Sequence, residues 1–379
     1  MKRHLAGFAC ILCLLCSACV PVQARKDGFF SLVSTRPVIK IGLVAPFEGR
    51  YRALGYEVLY AVKLAVRQRN EAGGIAGYMV ELVALNDQDD PGTSEVQAHK
   101  FAVDQQVMGV VGPFSDAAAL AAAPAYRAHS LGVVTPSACF PALLAAGDRE
   151  VFCAAASLDD LAEALRDRVP AGSQAILVRA EGDLLGDRLA GAVEREIDAS
   201  EVPSALDAVR ATRADLLLYG GDVLSAADLL VRLRAAGIDA PFWGGPSLAR
   251  TQLVQIAGDA VGGACYAMAA PLFADLAPEG ALAAQYRDLA GAMPGPWAGL
   301  AYDAAELLLN ALSEAIEAEG RPTREGVIAH LEDARGPDGL PLFTGHERRE
   351  GNVSLYCYGP GEGYPGHLAG PAESASGVP

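Results

Sequence analysis

Between residues 38 and 136 the hydrophobic pattern switches repeatedly between a period of two and a period of 3.6, and each switch falls at a turn signal. Residues 38–44 alternate and are rich in β-branched side chains, which predicts a strand ending at Pro46-Phe47-Glu48-Gly49. Over 57–70 the apolar residues Val58, Ala61, Val62, Ala65 and Val66 form a helical stripe that Gly73-Gly74 stops. Strands follow over 78–85, 107–111 and 132–135, with helices over 93–105 and from Ser115 or Asp116 to His129. Strands separated by helices argue for a parallel, doubly wound sheet with ligand sites at the strands' carboxyl ends.

A second series of the same kind begins after Ser157. It predicts a helix near 159–168, a strand over 174–179, a helix over 185–197, a strand over 214–219, a helix over 225–236 and a strand over 241–243. A long helix over 302–318 and a late strand over 353–358 imply that the chain crosses between two lobes more than once. The expected fold is α/β, with two doubly wound parallel-sheet lobes. Residues 38–155 plus 270–335 are assigned to lobe 1, and residues 156–269 plus 336–359 to lobe 2. The Gly, Pro and Ser-rich stretch 360–379 reads as a disordered tail.

With 379 residues, 51% of them hydrophobic, the chain can bury two such cores. A formal net charge of −16 leaves no basic footprint for nucleic acid, so none is expected as a partner. The first residues carry Lys2 and Arg3, then an apolar run over 5–15, then Ser17, Ala18 and Cys19. That is the order of an export signal, with residues 1–24 as signal and start of a tether that continues to Pro37. Two cleavage readings remain open. Small residues before Cys19 resemble a bacterial lipobox, in which the cysteine is acylated, although Cys16 stands where leucine is usual; Val22-Gln23-Ala24 suits ordinary signal peptidase. The apolar run is too short for a permanent membrane span, so contact with the membrane is expected through a lipid anchor only.

Four of the eight cysteines belong to the leader, leaving Cys139, Cys153, Cys265 and Cys357. In an oxidising compartment these permit two disulfides, and spacing favours Cys139 with Cys153 and Cys265 with Cys357; buried free thiols are the alternative. No catalytic constellation is visible. The six histidines are scattered, no Gly-x-Ser-x-Gly elbow occurs, and no metal or cofactor is expected. Gly361, Gly363 and Gly366 have dinucleotide-fingerprint spacing without a strand-to-helix context. The run Asp87, Asp89, Asp90 starts like a calcium loop but places Pro91 and Ala98 where ligands are needed.

Binding chemistry remains, at loop ends. Gly112-Pro113-Phe114-Ser115-Asp116 opens a helix whose free N–H groups make a partial positive end. Thr135-Pro136-Ser137-Ala138-Cys139 ends the neighbouring strand, while Tyr219-Gly220-Gly221-Asp222 and Trp243-Gly244-Gly245-Pro246 end strands of the second lobe. In order and spacing IKIGLVAPFEG, NEAGGIAG, DQDDPG, VVGPFSD, VVTPSA, LLLYGGD, RAAGI and AYDAAELLLNAL resemble the leucine/isoleucine/valine-binding family of periplasmic solute-binding proteins. The resemblance runs from Val38 to Tyr358. It implies a type I periplasmic binding protein-like fold, two lobes on a multi-strand hinge that close on a ligand. It also implies a non-enzymatic function in the periplasm or at an extracytoplasmic membrane surface, with an ABC permease as partner and a small-molecule ligand.

By that resemblance the ligand contacts are Phe47, Tyr51, Ser115, Asp116, Ser137, Ala138, Cys139, Asp222 and Trp243. The usual amino-acid handles are largely replaced. Asp116 or Ser115 stands where a hydroxyl helps hold the ligand carboxylate, Cys139 replaces a threonine, Pro246 an acidic ammonium partner, and Leu185 a tyrosine. An ionised Asp116 about 4 Å from a ligand carboxylate would repel it by about 4 kcal/mol at an effective dielectric near 20. The expected ligand is therefore amino-acid-related but not a free α-amino acid held in the usual way, and is neutral or cationic. The link over 194–214 also looks too short for a strand that the family usually carries there. The alternative function is an envelope lipoprotein that keeps the fold as a sensor or interaction scaffold with a degenerate cleft.

Overall fold

The computed structural model describes residues 36–136, 140–144, 149–180, 182–191, 193, 195–198, 202–269, 280–349 and 353–369. The leader with Cys19, the turn residues Ser137, Ala138 and Cys139, and residues 370–379 lie outside them. The first half reads β1 (Val38–Ala45), α1 (Arg52–Glu71), β2 (Met79–Asn86), α2 (Pro91–Val103), β3 (Val107–Val111), α3 (Asp116–Arg127), β4 (Gly132–Thr135) and β5 (Val151–Cys153). The second reads α4 (Leu158–Arg166), β6 (Ala175–Arg179), α5 (Leu184–Leu189), β7 (Arg195–Asp198), α6 (Val202–Thr212), β8 (Leu216–Gly220), α7 (Val223–Ala235), β9 (Phe242–Gly244), α8 (Thr251–Ala257) and β10 (Ala264–Ala269). Then come α9 (Ala281–Ala290), α10 (Pro296–Glu319), α11 (Arg324–Glu332), β11 (Phe343–Thr344), β12 (Glu347–Arg348), β13 (Val353–Cys357) and β14 (His367–Leu368).

These strands form two sheets, in the orders β11-β12-β5-β4-β3-β1-β2 and β14-β13-β10-β9-β8-β6-β7. Strands β1 to β5 are mutually parallel, as are β6 to β10, and antiparallel additions occur only at one edge of each sheet. A parallel sheet has both faces covered by helices, which explains the almost unbroken apolar run of β1. The chain leaves the first sheet after β5, returns after β10, and passes to the second again between β12 and β13. This is a two-lobed architecture.

Local chemistry sets the joints. Asn70 near the end of α1 donates its amide to the Val80 carbonyl at 2.8 Å and accepts from the Val80 N–H at 2.9 Å, tying that helix to β2. In the acidic turn, Asp90 caps α2 by accepting from the Thr93 N–H at 2.7 Å, and Asp87 is buried. Ser157 and Asp160 form a reciprocal capping box at α4. Helix α10 starts with Pro296 in its first turn, six residues earlier than its apolar stripe predicts, and ends at left-handed Gly320.

Four expectations need correction. Residues 343–348 belong to the first sheet rather than to lobe 2, because β12 pairs with β5 at Glu347 and Cys153, and Phe343 packs on Phe152 with ring centroids 5.4 Å apart. The stretch 360–369 is folded rather than a disordered tail: β14 pairs with β13, and the Tyr266 hydroxyl donates to the Pro365 carbonyl at 2.7 Å. The helix predicted over 185–197 stops at Leu189, since Gly191 takes a φ of +79°. The strand that seemed missing beyond it is β7, an edge strand whose ladder with β6 prevails over the helical pattern. Cys265 and Cys357 face each other across β10 and β13 and are joined by a disulfide. Among the described residues no helix is long and apolar enough to cross a membrane.

Candidate functional site

The carboxyl ends of both sheets open onto one cavity of about 150 Å³. On the first lobe its wall starts at the turn after β3. Gly112 has a φ of +100°, and a Cβ there would meet the Val44 carbonyl oxygen at 2.3 Å, so only glycine fits. The Thr135 hydroxyl donates to the Pro113 carbonyl at 2.9 Å, fastening this turn to the end of β4. Ser115 then precedes α3 without forming a side-chain cap, which leaves its hydroxyl and the helix's first N–H groups free at the cavity wall. Phe114 meets Trp297, at the start of α10, edge to face at 6.2 Å.

On the second lobe, Gly220 at the end of β8 lets α5 approach: a Cβ would lie 2.6 Å from the Gly186 Cα. Asp183 caps α5 by accepting from the Gly186 N–H at 2.6 Å, and Asp183, Leu184 and Leu185 line the cavity. The turn after β9 supplies Pro246, Ser247 and Arg250. Arg250 is only 8% exposed, and its guanidinium lies over the rings of Tyr51 and Trp297, at 5.0 and 5.2 Å from their centroids. Its Nη1 is buried with no hydrogen-bond partner. Three hydrogen bonds cross between the lobes here, from Trp297 Nε1 to the Ala249 carbonyl at 2.8 Å, from Gln252 Nε2 to the Arg50 carbonyl at 2.5 Å and from the Tyr364 hydroxyl to Glu57 at 3.0 Å.

Burial pushes the Asp116 carboxyl up to about 7, repulsion from Asp183 adds to the rise, and Arg250 opposes it. Asp183 is raised by burial as well. This alters the premise of a ligand repelled by an ionised Asp116. Near neutral pH a large fraction of Asp116 carries a proton and can donate a hydrogen bond. Beside the cavity, Glu57 Oε1 accepts from the Trp297 and Ala298 N–H groups at 2.8 and 3.0 Å, and Oε2 accepts from the Tyr364 hydroxyl at 3.0 Å. Burial raises Glu57 to about 7 too.

Of the residues expected at the site, Ser115 and Asp116 line the cavity, as do Pro246 and Leu185. Tyr51 stands behind Arg250 rather than in the wall. Phe47 packs edge-on against Tyr56 at 6.3 Å, outside the wall. Asp222 is exposed and caps α7, accepting from the Leu224 and Ser225 N–H groups at 2.8 and 3.2 Å. Trp243 is 3% exposed and packs in the apolar core that backs Leu158, Leu161 and Leu185 rather than in the cavity wall itself. Sequence reasoning missed Asp183, Arg250 and Trp297. Only Trp297 had a local signal, the Gly295-Pro296 helix start immediately before it. Among the described residues no group of three or more His, Cys, Asp or Glu could hold a metal ion.

Comparison with known proteins agrees with this architecture. The Leu/Ile/Val-binding protein BraC3 of Rhizobium johnstonii is 25% identical over 314 residues, covering 78% of this chain and 84% of that one. The structure of the branched-chain amino acid transporter substrate binding protein LivJ from Streptococcus pneumoniae, in complex with isoleucine, superposes with a TM-score of 0.74 at 20% identity. It covers 88% of this chain and 99% of the other. A solute binding protein of an ABC transporter from R. palustris, in complex with benzoate, gives a TM-score of 0.70 at 20% identity, covering 90% and 97%. A family model described as periplasmic binding protein matches residues 38–174 and 171–354. With that match spanning both sheets, the chain belongs to the periplasmic binding protein family.

Proposed function

We propose that this protein is the extracytoplasmic solute-binding component of an ABC importer, held at the membrane by a lipid on Cys19, and that it captures a small ligand by hinge closure. The observation that carries this reading is a cavity walled by both lobes and bridged by Trp297–Ala249 and Gln252–Arg50 hydrogen bonds, because a ligand there stabilises the closed form through contacts to each side. The names of the relatives, each a binding protein or transporter component, support a binding role without catalysis and a permease as partner. The small cavity and the replaced amino-acid handles support a ligand that is amino-acid-related but not a free α-amino acid held in the usual way.

The test is a thermal-shift screen against amino acids, carboxylic acids, amides, polyamines and sugars. A ligand that binds only the folded state stabilises it by RT ln(1 + [L]/Kd), so one compound class is expected to raise the melting temperature with the logarithm of its concentration. A flat panel would reject solute capture and favour the scaffold reading. For the anchor, Cys19→Ala is expected to move the protein from the membrane to the soluble fraction; unchanged fractionation would reject it.

A further inference from the structure

Among the described residues two arginines are almost fully buried, and they are treated differently by their surroundings. Arg324, 7% exposed, donates to the carbonyls of Val107, Ala102 and Asp104 at 2.9, 3.0 and 2.7 Å, with longer contacts to Phe101 and His129. Its donors are used up by the fold. Arg250 is buried to the same degree, yet its Nη1 has no partner and its side chain lines the cavity between two aromatic rings. A guanidinium offers five N–H donors in a planar fork, and leaving a buried charge without hydrogen bonds is expensive. The carboxyls that feel its charge, Glu57, Asp87 and Asp116, are each shifted by burial toward the neutral form and make no hydrogen bond to it. Such a residue is poised for an anion that arrives from outside.

We propose that Arg250 is the anchor for a ligand carboxylate and that the solute is a small monocarboxylic acid with a compact apolar body. This rests on the solute-binding reading above and makes it specific. Much of the wall matches that body: Phe114, Leu161, Leu185, Met268, Trp297 and Leu300 surround a space on the scale of one that accepts benzene, and the two carboxyls that share the wall, Asp116 and Asp183, are both shifted by burial toward the neutral form. The carboxylate is then gripped from the second lobe by Arg250, while Ser115 and the uncapped start of α3 face it from the first. One anion bridging both lobes favours closure.

The experiment compares acids with their uncharged amides on the full-length processed protein by isothermal titration calorimetry, using 4-methylpentanoate with 4-methylpentanamide, benzoate with benzamide, and L-leucine. An acid of at least one pair is expected to bind at least about tenfold tighter than its amide. Arg250→Gln should weaken that acid by about tenfold to a hundredfold, the range for a hydrogen bond to a charged group. Arg250→Lys, which keeps the charge and loses the fork, should fall between. The unmodified protein decides the matter even if a variant misfolds, which circular dichroism would reveal. L-Leucine against 4-methylpentanoate shows whether an ammonium group is also recognised, and either ranking keeps a carboxylate as the anchored group. Acid and amide binding alike, or a folded Arg250→Gln that binds the acid unchanged, would overturn the carboxylate anchor and leave solute capture standing. Binding of only a sugar or a polyamine from the thermal-shift panel would do the same. If nothing in either panel binds, both readings fall together.

Discussion

Glu57 joins segments far apart in the chain: its carboxylate caps the start of α10 and receives the Tyr364 hydroxyl from the C-terminal stretch. A carboxylate at a helix N-terminus is ordinarily favoured as an anion, but here desolvation outweighs the helix dipole and raises Glu57 from 4.5 to about 7. Between those two values the folded protein holds a proton that the unfolded chain has released. The Glu57 contribution to stability is therefore present below about pH 4.5 and lost as pH rises toward 7, by about 3 kcal/mol in total. Glu57→Gln keeps a neutral hydrogen-bonding group and removes the titration. Denaturant unfolding at pH 5 and pH 8 should show the variant gaining on the parent by about 2 kcal/mol or more at the higher pH; equal pH slopes would contradict this. A residual slope of the same sign is expected from Asp87 and Asp116, which burial raises to about 6 and about 7. Arg324 makes the opposite kind of contribution. Arg324→Met strands the carbonyls at the end of α2 and the start of β3, and at about 1 kcal/mol for each of three short hydrogen bonds it should destabilise by about 3 kcal/mol in urea unfolding.

At the scale of elements, what was legible in the sequence depended on whether a segment's fate is local. Strand β3, apolar throughout, and β1, β-branched and apolar but for Lys40, could be read directly, and so could α1, whose stripe and glycine stop agree. The residues Arg195, Glu196, Ile197 and Asp198 of β7 have no strand-like pattern; only hydrogen bonding to β6, some twenty residues earlier, makes them a strand. The two-residue strand β12 likewise exists through pairing with the distant β5, and the equally short β11 and β14 through pairing with their neighbours β12 and β13. The site divides in the same way. Ser115 and Asp116 follow from a strand-to-helix turn, whereas Arg250 and Trp297 meet only because the lobes come together, and Trp243, although it ends a strand as a site residue would, is taken up by the core behind the wall. The disulfide between β10 and β13 also closes a long loop, 92 residues in sequence. A Cys265→Ala/Cys357→Ala double variant should lose about 2–4 kcal/mol of unfolding free energy, measured without reductant because Cys153 is disulfide-bonded too. An unchanged midpoint would mean that the strand ladder alone holds this edge.

On the scale of the whole molecule, closure should be visible through one side chain. The chain has two tryptophans, and their surroundings differ in the way that matters. Trp243 is sealed in the core and is no part of the cavity wall, whereas Trp297 lines the cavity, lies beneath Arg250 and donates its indole N–H across the cleft to Ala249. Separating the lobes breaks that hydrogen bond together with those from Gln252 to Arg50 and from Tyr364 to Glu57. It also wets the indole, and water shifts tryptophan emission to longer wavelength. A bound ligand that holds the lobes together should reverse the shift. Titration with a ligand found by calorimetry is therefore expected to change the emission of the parent and of Trp243→Phe to the same extent, and to leave Trp297→Phe silent even where calorimetry still detects binding. A signal that followed Trp243 instead would place the conformational change inside the second lobe rather than between the lobes, because no surface of Trp243 takes part in the cleft.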